Sequence, residues 1–221
     1  MKHALVIGAS GGIGSAISTE LSARGYGVTG LSRSADGLDV TDEASVKAAL
    51  SDVNQPMSLI FVATGALEPG GHRPEKALRE VTPAALEAAF RINAIGPLLV
   101  LKHSLHLLPK NAPSVFAALS ARVGSIGDNG IGGWHSYRAS KTALNQLIHG
   151  AAIELKRTHN QASAVCLHPG TVESSFTEKY ASRHKTVPAP QAAANLVNVI
   201  EGLTPAQSGG FFDYAAQKIP W

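Results

Sequence analysis

The 221-residue sequence has one cysteine, only 5% aromatic residues and no strong excess of charge of either sign. A single cysteine, Cys166, excludes an intrachain disulfide framework and permits a reducing compartment. Because Cys166 lies in an apolar, strand-like run, we expect its thiol to fill the core. The net charge is +3 and the lysines and arginines are scattered, which argues against a nucleic-acid partner.

Long apolar runs, a signal peptide and metal-ligand spacing are also absent from the sequence. An uninterrupted apolar stretch of about 18 residues is missing, so we predict no membrane-spanning helix and no membrane partner. Met1 leads directly into strand-like sequence rather than into a signal peptide. The nine histidines show no spacing typical of metal ligands, so we predict no metal. These features favour a cytoplasmic globular protein.

Strand-like and helix-like segments alternate along the chain. This alternation predicts one α/β domain over residues 1–221, with a doubly wound parallel sheet of about seven strands and helices on both faces. The predicted strands are 4–7, 27–31, 37–40, 59–63, 114–119, 163–167 and 210–213. The predicted helices are 12–24, 42–51, 83–107, 133–157 and 191–201. Pro97 is expected to kink or divide the third helix.

Two stretches have the composition of loops. Residues 68–75 contain two glycines and two prolines, and residues 174–190 follow the sixth predicted strand. Ligands of doubly wound sheets bind at the carboxyl ends of the strands, where the second loop would lie. We therefore predict that residues 174–190 form a substrate lid.

A glycine-rich loop follows the first predicted strand and precedes a helix-like segment. Such a loop presents free backbone N–H groups and the positive end of a helix to a phosphate. The glycines are spaced G-x-x-x-G-x-G, and a plain strand-to-helix turn is the alternative interpretation. We predict that a dinucleotide pyrophosphate binds at the segment formed by Gly8, Ser10, Gly11, Gly12, Ile13 and Gly14.

Tyr137 and Lys141 are four residues apart in a predicted helix, which places them on one face. A nearby ammonium group favours phenolate, so Lys141 is expected to lower the Tyr137 pKa. A general acid/base works best with a pKa near the operating pH, so this pair could exchange a proton with a carbonyl or alcohol oxygen. A solvated helix face is the alternative.

The glycine loop and the Tyr-x-x-x-Lys pair together resemble the short-chain dehydrogenase/reductase family over essentially the whole chain. That family pairs a T-G-x-x-x-G-x-G loop with a Y-x-x-x-K helix, and here Ile7 replaces the threonine while all the glycines match. Residues 90–97, 121–129, 132–134 and 219–221 resemble its C-factor-like and sniffer-like carbonyl reductase branch. The resemblance implies a Rossmann-type fold.

The resemblance also implies the cofactor contacts. Ser32 and Arg33 follow the second strand without an acidic residue, and an arginine there favours NADP(H) over NAD(H). Ser10 could add a hydroxyl to the 2′-phosphate. The remaining expected contacts are Asp39 and Val40 at the adenine, Ala63, Thr64 and Gly65 after the fourth strand, Asn93, Tyr137 and Lys141, and Pro169, Gly170, Thr171 and Val172 around the nicotinamide. Arg33 as a solvated charge and Asp39 as a turn residue are the alternatives.

By the same resemblance, Tyr137 is the general acid/base, Lys141 binds the nicotinamide ribose and Asn93 helps to hold a water in a proton relay to the lysine. His168 could act as a base, but a packed or surface histidine is favoured because Tyr137 already fills that role.

The catalytic serine of the family falls on Ala121, three residues before a glycine. Ser120 is one place early and would face the other side of the strand, whereas Ser125 would need its loop to fold back. Ser120 is slightly favoured. Loss of one such donor costs roughly 10²–10³ in rate in other enzymes, so activity would fall without vanishing.

The sequence therefore predicts an NADP(H)-dependent carbonyl reductase or alcohol dehydrogenase that acts on a small molecule. A dinucleotide-binding signalling or regulatory protein with little turnover is the alternative, and the C-factor resemblance and Ala121 motivate it. A nucleotide-sugar epimerase would need a substantial further domain. Relatives associate through the helices at 83–107 and 133–157, so a homodimer or homotetramer is expected.

Overall fold

The computed structural model describes residues 1–173 and 186–221, and its centre is a parallel sheet. The six strands of these residues are β1 (His3–Ile7), β2 (Gly27–Leu31), β3 (Leu59–Val62), β4 (Ser114–Leu119), β5 (Ala162–His168) and β6 (Phe211–Asp213). Their order is β2-β1-β3-β4-β5-β6, and all neighbours run parallel. The direction of winding reverses between β1 and β3, which is where doubly wound sheets form a ligand crevice.

The predicted strand at residues 37–40 is wrong, so the described sheet has six strands rather than about seven. A short helix, α2 (Arg33–Asp36), follows β2 instead, and the Ser32 hydroxyl accepts a hydrogen bond from its Ala35 N–H. Gly37 ends that helix with a φ of 69°. Leu38 and Val40 are buried on alternate positions. Their spacing imitates a strand, but they fill the core from a loop.

Helices cover both faces of the sheet, as the alternation of segments predicts. Besides α2 they are α1 (Gly12–Ala23), α3 (Glu43–Ser51), α4 (Pro83–Phe90), α5 (Gly96–Ser104), α6 (His135–Leu155) and α7 (Ala189–Glu201). Alternate residues of β1 supply two apolar clusters: Leu5 and Ile7 pack towards α3, α5 and α6, and Ala4 and Val6 pack towards α1 and α7. Cys166 is buried in the first cluster, where its run predicts it.

The third predicted helix is continuous but irregular. A π-helical turn, Arg91–Ile95, joins α4 to α5 just before Pro97. Proline cannot donate to the carbonyl four residues back, and a wider turn accommodates its ring. By length and composition alone, Pro83–Leu107 could cross a membrane, with a mean hydropathy of 1.5 and 44% of the apolar window buried. In this fold it packs against α3 and α6.

Candidate active site

A cavity of about 530 Å³ lies at the carboxyl ends of the central strands. Segments that are far apart in the sequence meet around it, because parallel strands all end at the same edge of the sheet. The predicted site residues that line it are Gly11, Gly12, Ile13, Gly14, Ala63, Thr64, Gly65, Ser120, Tyr137, Lys141, Pro169, Gly170, Thr171 and Val172. The predicted residues that do not line it are Gly8, Ser10, Ser32, Arg33, Asp39, Val40, Asn93 and Ser125.

The glycine loop forms one wall of this cavity. Gly8 has a φ of 84°, its N–H donates to the Leu31 carbonyl, and its own carbonyl accepts from Gly11. A Cβ at Gly14 would lie 2.1 Å from the Gly8 oxygen, so only glycine lets α1 start this close to the loop. Within residues 1–173 and 186–221, no side chain caps the N-terminus of α1. Its first-turn N–H groups therefore remain available to an anion.

Tyr137 and Lys141 form the opposite wall, and both are buried on α6, at 8% and 3% exposure. The Lys141 Nζ lies 6.0 Å from the centre of the Tyr137 ring and donates to the Leu119 carbonyl at 2.8 Å. Burial lowers the pKa of Lys141 to about 8, although the nearby Cys166 acts in the opposite direction. Burial also raises the pKa of Tyr137 above its ordinary value. The expected lowering of the Tyr137 pKa is therefore wrong for the chain alone, because desolvation of the phenolate dominates.

Asn93 is fully buried in the π-helical turn and connects two walls of the site. Its Oδ1 accepts from the Ala66 N–H at 2.8 Å, and its Nδ2 donates to the Ala66 carbonyl and to the Ser140 hydroxyl at 2.9 and 3.1 Å. Ser140 in turn donates to the Tyr137 carbonyl at 2.8 Å. The side chain of Asn93 thus ties the segment after β3 to the helix that carries the tyrosine.

Gly65 allows Asn93 and Lys141 to approach each other beneath the cavity. A Cβ at Gly65 would lie 3.2 Å from Asn93 Oδ1 and 3.3 Å from Lys141 Nζ. The neighbouring Thr64 lines the cavity, and its buried hydroxyl has no hydrogen-bond partner in the described part of the chain. A buried polar group without a partner is uncommon, which marks this wall as a place for a ligand atom.

The two candidate serines have different surroundings. Ser120 lines the cavity, but its hydroxyl donates to Asn145 Oδ1 of α6 at 2.7 Å. Ser125 is buried away from the cavity, and its hydroxyl donates to the Pro220 carbonyl at 2.6 Å. Ala121, the position of the family serine, does line the cavity. The structure therefore brings Ser120 and Ala121 to the site and uses Ser125 to hold the C-terminal segment.

Beyond the cavity, at the end of β2, lie the residues predicted to hold the adenosine part of a cofactor. Arg33 and Ser10 are exposed, and the exposed Ser34 donates to the Ser10 hydroxyl at 3.0 Å. Ser32 is buried, and its N–H donates to the Asp36 carboxylate at 2.7 Å. Sequence reasoning missed Ser34, although its place beside Arg33 is a usable signal.

Asp39 and Val40 have local partners at the same end of the sheet. The Asp39 carboxylate accepts from both the N–H and the hydroxyl of Thr41 at 2.9 and 2.8 Å. These bonds, and to a smaller extent Arg33, lower the pKa of Asp39. Val40 is buried, and its carbonyl oxygen lies 3.0 Å from the place of a Cβ on Gly96. Both residues therefore shape the turn that leads into α3.

The segment after β5 completes the cavity wall. The Thr171 carbonyl accepts from the Val187 N–H at 3.0 Å, and the Glu173 N–H donates to the Val187 carbonyl at 3.0 Å. Residues 174–185 of the predicted lid lie outside the described residues, and α7 already begins at Ala189. A parallel bridge between Val172 and Val187 holds these two residues side by side.

Glu75 supports α6 beside the tyrosine and was not predicted. It is buried, and its carboxylate accepts from both the N–H and the hydroxyl of Ser136, the residue before Tyr137. Its carbonyl accepts from the N–H of Trp134, the residue before α6, which has a positive φ of 50°. Burial acts to raise the pKa of Glu75, but the bonds from Ser136 outweigh it and the pKa is lowered. Its place in a proline- and glycine-rich loop gave no sequence signal.

His168, the last residue of β5, also lines the cavity. Burial, together with Arg122, lowers its pKa to about 4 against the opposing effect of Asp213. Its imidazole is therefore neutral at neutral pH. Its position directly before Pro169 and Gly170 is the signal that singles it out in the sequence.

The reversal point of the sheet, the glycine loop and the buried tyrosine–lysine pair define a Rossmann-type oxidoreductase. A family model described as enoyl-(acyl carrier protein) reductase matches residues 8–202. The chain belongs to the short-chain dehydrogenase/reductase family, which confirms the resemblance drawn from its motifs.

Two relatives illustrate the range of this family. The C-signal of Myxococcus xanthus is 37% identical over 145 residues, which span 66% of this chain and 84% of that protein. The 1-hydroxy-2-glutathionyl-2-methyl-3-butene dehydrogenase of Rhodococcus sp. (strain AD45) is 33% identical over 239 aligned positions, which cover both proteins completely.

Solved structures share the fold over its full length. An NADPH-bound carbonyl reductase from chicken fatty liver matches with a TM-score of 0.84 at 21% identity and covers 100% of this chain and 99% of that one. The carbonyl reductase Sniffer of D. melanogaster matches with a TM-score of 0.83 at 20% identity and covers both chains completely.

Proposed function

We propose that this protein is an NADP(H)-dependent oxidoreductase that interconverts a small-molecule carbonyl and the corresponding alcohol. The observation that carries this proposal is the buried Tyr137–Lys141 pair, which faces a glycine loop with open N–H groups across one cavity. When bound, the nicotinamide would supply the hydride. The protein supplies the geometry, the charge and the proton.

The residues of the cavity fit a dinucleotide. The close approach of α1 to Gly8 leaves the backbone N–H groups of the loop for a pyrophosphate. The Thr64 hydroxyl, which has no hydrogen-bond partner among the described residues, lines the same cavity. In our proposal Lys141 holds the nicotinamide ribose, and Thr171 and Val172 hold the carboxamide.

Burial prepares the tyrosine to give a proton. The raised pKa of Tyr137 keeps the phenol protonated at neutral pH, so it can donate to the oxygen of a bound carbonyl while hydride reaches the carbon. The Lys141 ammonium, with a pKa of about 8, lies close enough to stabilise the phenolate that forms. Asn93 holds α6 in place through Ser140 and lies near Lys141. In our proposal the proton that Tyr137 gives to the substrate is replaced through Lys141.

The preference for NADP(H) rests on the end of β2. Arg33, Ser10 and Ser34 offer one positive charge and two hydroxyls there, while the carboxylate of Asp36 is paired with Ser32. An arginine at this place binds a 2′-phosphate, whereas a free acidic residue would bind a ribose hydroxyl. The carbonyl reductase from chicken fatty liver, which has the same fold, binds NADPH in its structure, and this supports the same preference.

The substrate end of the cavity has an apolar wall with one cation near it. Leu67, Val123 and Trp134 supply the wall, and Arg122, which is paired with Asp128 at 2.8 Å, also lines the cavity. This lining suits a ketone or aldehyde with apolar substituents. The Rhodococcus relative also motivates an alcohol that carries a glutathionyl group, whose carboxylates Arg122 could meet.

We also propose that the protein forms a homodimer or homotetramer in the cytoplasm. Exposed apolar side chains occur on the two long helical segments, at Ile95, Leu105 and Ile153. Sedimentation of the purified protein tests the assembly.

The first experiment is a titration with NADPH and NADH, followed by fluorescence, for the wild type and Tyr137→Phe. A panel of aliphatic and aromatic carbonyls and a glutathionyl alcohol with NADP⁺ is then added to each. We expect NADPH to bind more tightly than NADH and to be oxidised by the wild type, and oxidation to fall roughly 10²–10⁴-fold in Tyr137→Phe with binding unchanged. Equal turnover by both proteins would contradict the role of Tyr137.

A second candidate function is a dinucleotide-binding regulatory protein with little turnover. The similarity to the C-signal and the alanine at position 121 favour it. Saturable NADPH binding without oxidation by any member of the panel would support this function over the first.

A further inference from the structure

The cavity contains an imidazole that the proposed chemistry does not use. His168 ends β5, and its neighbour Leu167 accepts a hydrogen bond from the Ser120 N–H at 2.8 Å. The end of β5 therefore lies beside the end of β4, where Ala121 lines the cavity. His168 is thus next to the position at which the family places its serine hydroxyl.

His168 points to the side of the sheet that carries the tyrosine. Side chains two apart on a strand share a face, so His168 shares its face with Cys166. Cys166 packs in the cluster that contains Leu144 and Ile148 of α6. Because Tyr137 and Lys141 project from the same helix into the same cavity, the imidazole and the phenol border a common space.

The two ring nitrogens of His168 have different surroundings. Nδ1 is buried and has no hydrogen-bond partner in residues 1–173 and 186–221, whereas Nε2 is not among the buried unpartnered atoms. A neutral imidazole has one N–H and one bare nitrogen. Burial of an N–H without a hydrogen-bond partner is unfavourable, so the proton belongs on Nε2, where a ligand or water can accept it.

The charge around the ring agrees with a neutral donor. Arg122 opposes a second positive charge, and burial disfavours it more strongly, while Asp213 of the adjacent strand compensates only in part. The Asp213 Oδ1 is also engaged by the N–H groups of Ala215 and Gln217. A neutral imidazole can polarise a carbonyl without taking a proton from the tyrosine.

We propose that His168 is a catalytic residue that donates a hydrogen bond from Nε2 to the substrate oxygen, in place of the serine hydroxyl that Ala121 lacks. This inference rests on the proposed carbonyl chemistry and adds a second donor to it. The proton of Tyr137 is transferred to the oxygen, whereas the proton of His168 stays on its nitrogen throughout.

The kinetic test compares two variants at position 168. In His168→Leu the donor is lost, and we expect kcat/KM for the carbonyl to fall roughly 10²–10³-fold while the Kd of NADPH stays within about threefold. In His168→Gln the side-chain amide offers an N–H near the place of Nε2, and most of the activity should remain. The double variant His168→Leu/Ala121→Ser should have a kcat/KM at least about tenfold higher than that of His168→Leu, because the serine hydroxyl supplies a hydrogen-bond donor.

The outcomes separate this inference from the function on which it rests. A wild type that oxidises NADPH, with His168→Leu equally active, overturns the role of His168 and leaves the proposed function intact. Equal losses in His168→Gln and His168→Leu without recovery by Ala121→Ser also overturn it. A wild type that reduces no carbonyl overturns both.

A spectroscopic measurement decides the matter if His168→Leu does not fold. Long-range ¹H–¹⁵N spectra of the wild type labelled in histidine report the tautomer, with His168→Gln used for assignment. A neutral ring with the proton on Nε2 from pH 6 to 8 supports the proposal. A proton on Nδ1, or a charged ring at pH 7, overturns it.

Discussion

The candidate site has a buried end in the cavity beside α6 and an exposed end beyond the cavity, after β2, and the two ends are built in opposite ways. At the α6 end, Tyr137, Lys141 and Asn93 are buried, and their hydrogen bonds join segments far apart in the chain. At the β2 end, Arg33 and Ser10 are exposed, and Ser10 accepts a hydrogen bond from the exposed Ser34. Burial shifts pKa values strongly, whereas exposed charges are screened by water and salt. In our proposal the buried end therefore carries the chemistry and the exposed end selects the cofactor.

The largest effect is expected at the buried end, for Lys141→Met. Removal of the ammonium should lower kcat/KM by roughly 10²–10⁴-fold, because the phenolate of Tyr137 loses its stabilising charge. In the wild type, kcat/KM for reduction should decline as the pH rises through about 8, where Lys141 loses its proton. A pH series of kcat/KM checks both statements.

The same substitution should make the folded protein more stable. The Lys141 pKa is about 8 when folded against an ordinary 10.5, so the unfolded chain binds more protons between these values. The penalty for burying the charge is full below pH 8 and fades towards pH 10.5. Lys141→Met should therefore gain about 1–3 kcal/mol at pH 7 and little at pH 10 in urea unfolding. A gain in stability that is equal at pH 7 and pH 10 would show that it does not come from removal of the buried charge.

The next effect concerns the glycine loop, which lines the cavity and is bonded to the end of β2. Gly14→Ala forces the backbone of Gly8 to move, because the added Cβ would lie 2.1 Å from its oxygen. We expect a loss of about 1–3 kcal/mol in stability and at least a tenfold weaker binding of NADPH. Gly150→Ala is the matched control: Gly150 is exposed in α6 with open space around it, and the change should stabilise by about 0.5–1 kcal/mol. Similar losses in both would mean that the close approach is unimportant.

The exposed end should respond with a smaller and selective effect. Arg33→Ala should raise the KM of NADPH by about 10–100-fold, as expected for the loss of a charge-assisted hydrogen bond, and leave the KM of NADH nearly unchanged. The difference should shrink in high salt, because the contact is open to solvent. An equal rise in the KM of NADPH and of NADH would show that Arg33 does not bind the 2′-phosphate.

The smallest effect is expected for Glu75→Gln, which keeps one acceptor for Ser136 but removes the charge at the start of α6. We expect about 1 kcal/mol of lost stability and less than a tenfold change in kcat/KM. Because the pKa of Glu75 is lowered in the folded protein, its carboxylate stabilises the fold fully above the unfolded pKa. This stabilisation is lost as the pH falls through the lower, folded pKa. Glu87→Gln, at an exposed position of α4, should change stability by less than about 0.5 kcal/mol.

The sequence was sufficient where a pattern is local. Gly8, Gly12 and Gly14 lie within seven consecutive residues, and Tyr137 and Lys141 lie one helical turn apart. The helices that carry these motifs, α1 and α6, form as predicted. The alternation of strands and helices likewise predicted the parallel sheet. The strand prediction for residues 37–40 failed because Leu38 and Val40 are buried at alternate positions, as in a strand, but pair with no strand of the described sheet.

Tertiary contacts decided the rest. No spacing rule connects Glu75 to Ser136, Asn93 to Ala66, or Ser125 to Pro220, because each pair comes from separate segments. The pKa of Tyr137 could not be read from its neighbour Lys141, since burial by the whole domain outweighs one charge. Ser120 was placed at the cavity, but only the fold reveals its bond to Asn145.

The backbone pairing of Val172 with Val187 has a consequence for how this protein can diversify. Both ends of the connecting chain are already held together, so a replacement of different length must only close on a fixed base. Doubling the length of such a connection costs only about 0.6 kcal/mol of closure free energy. The length and sequence of the chain between these two valines can therefore change, by evolution or by engineering, while β5 and α7 on either side keep their positions.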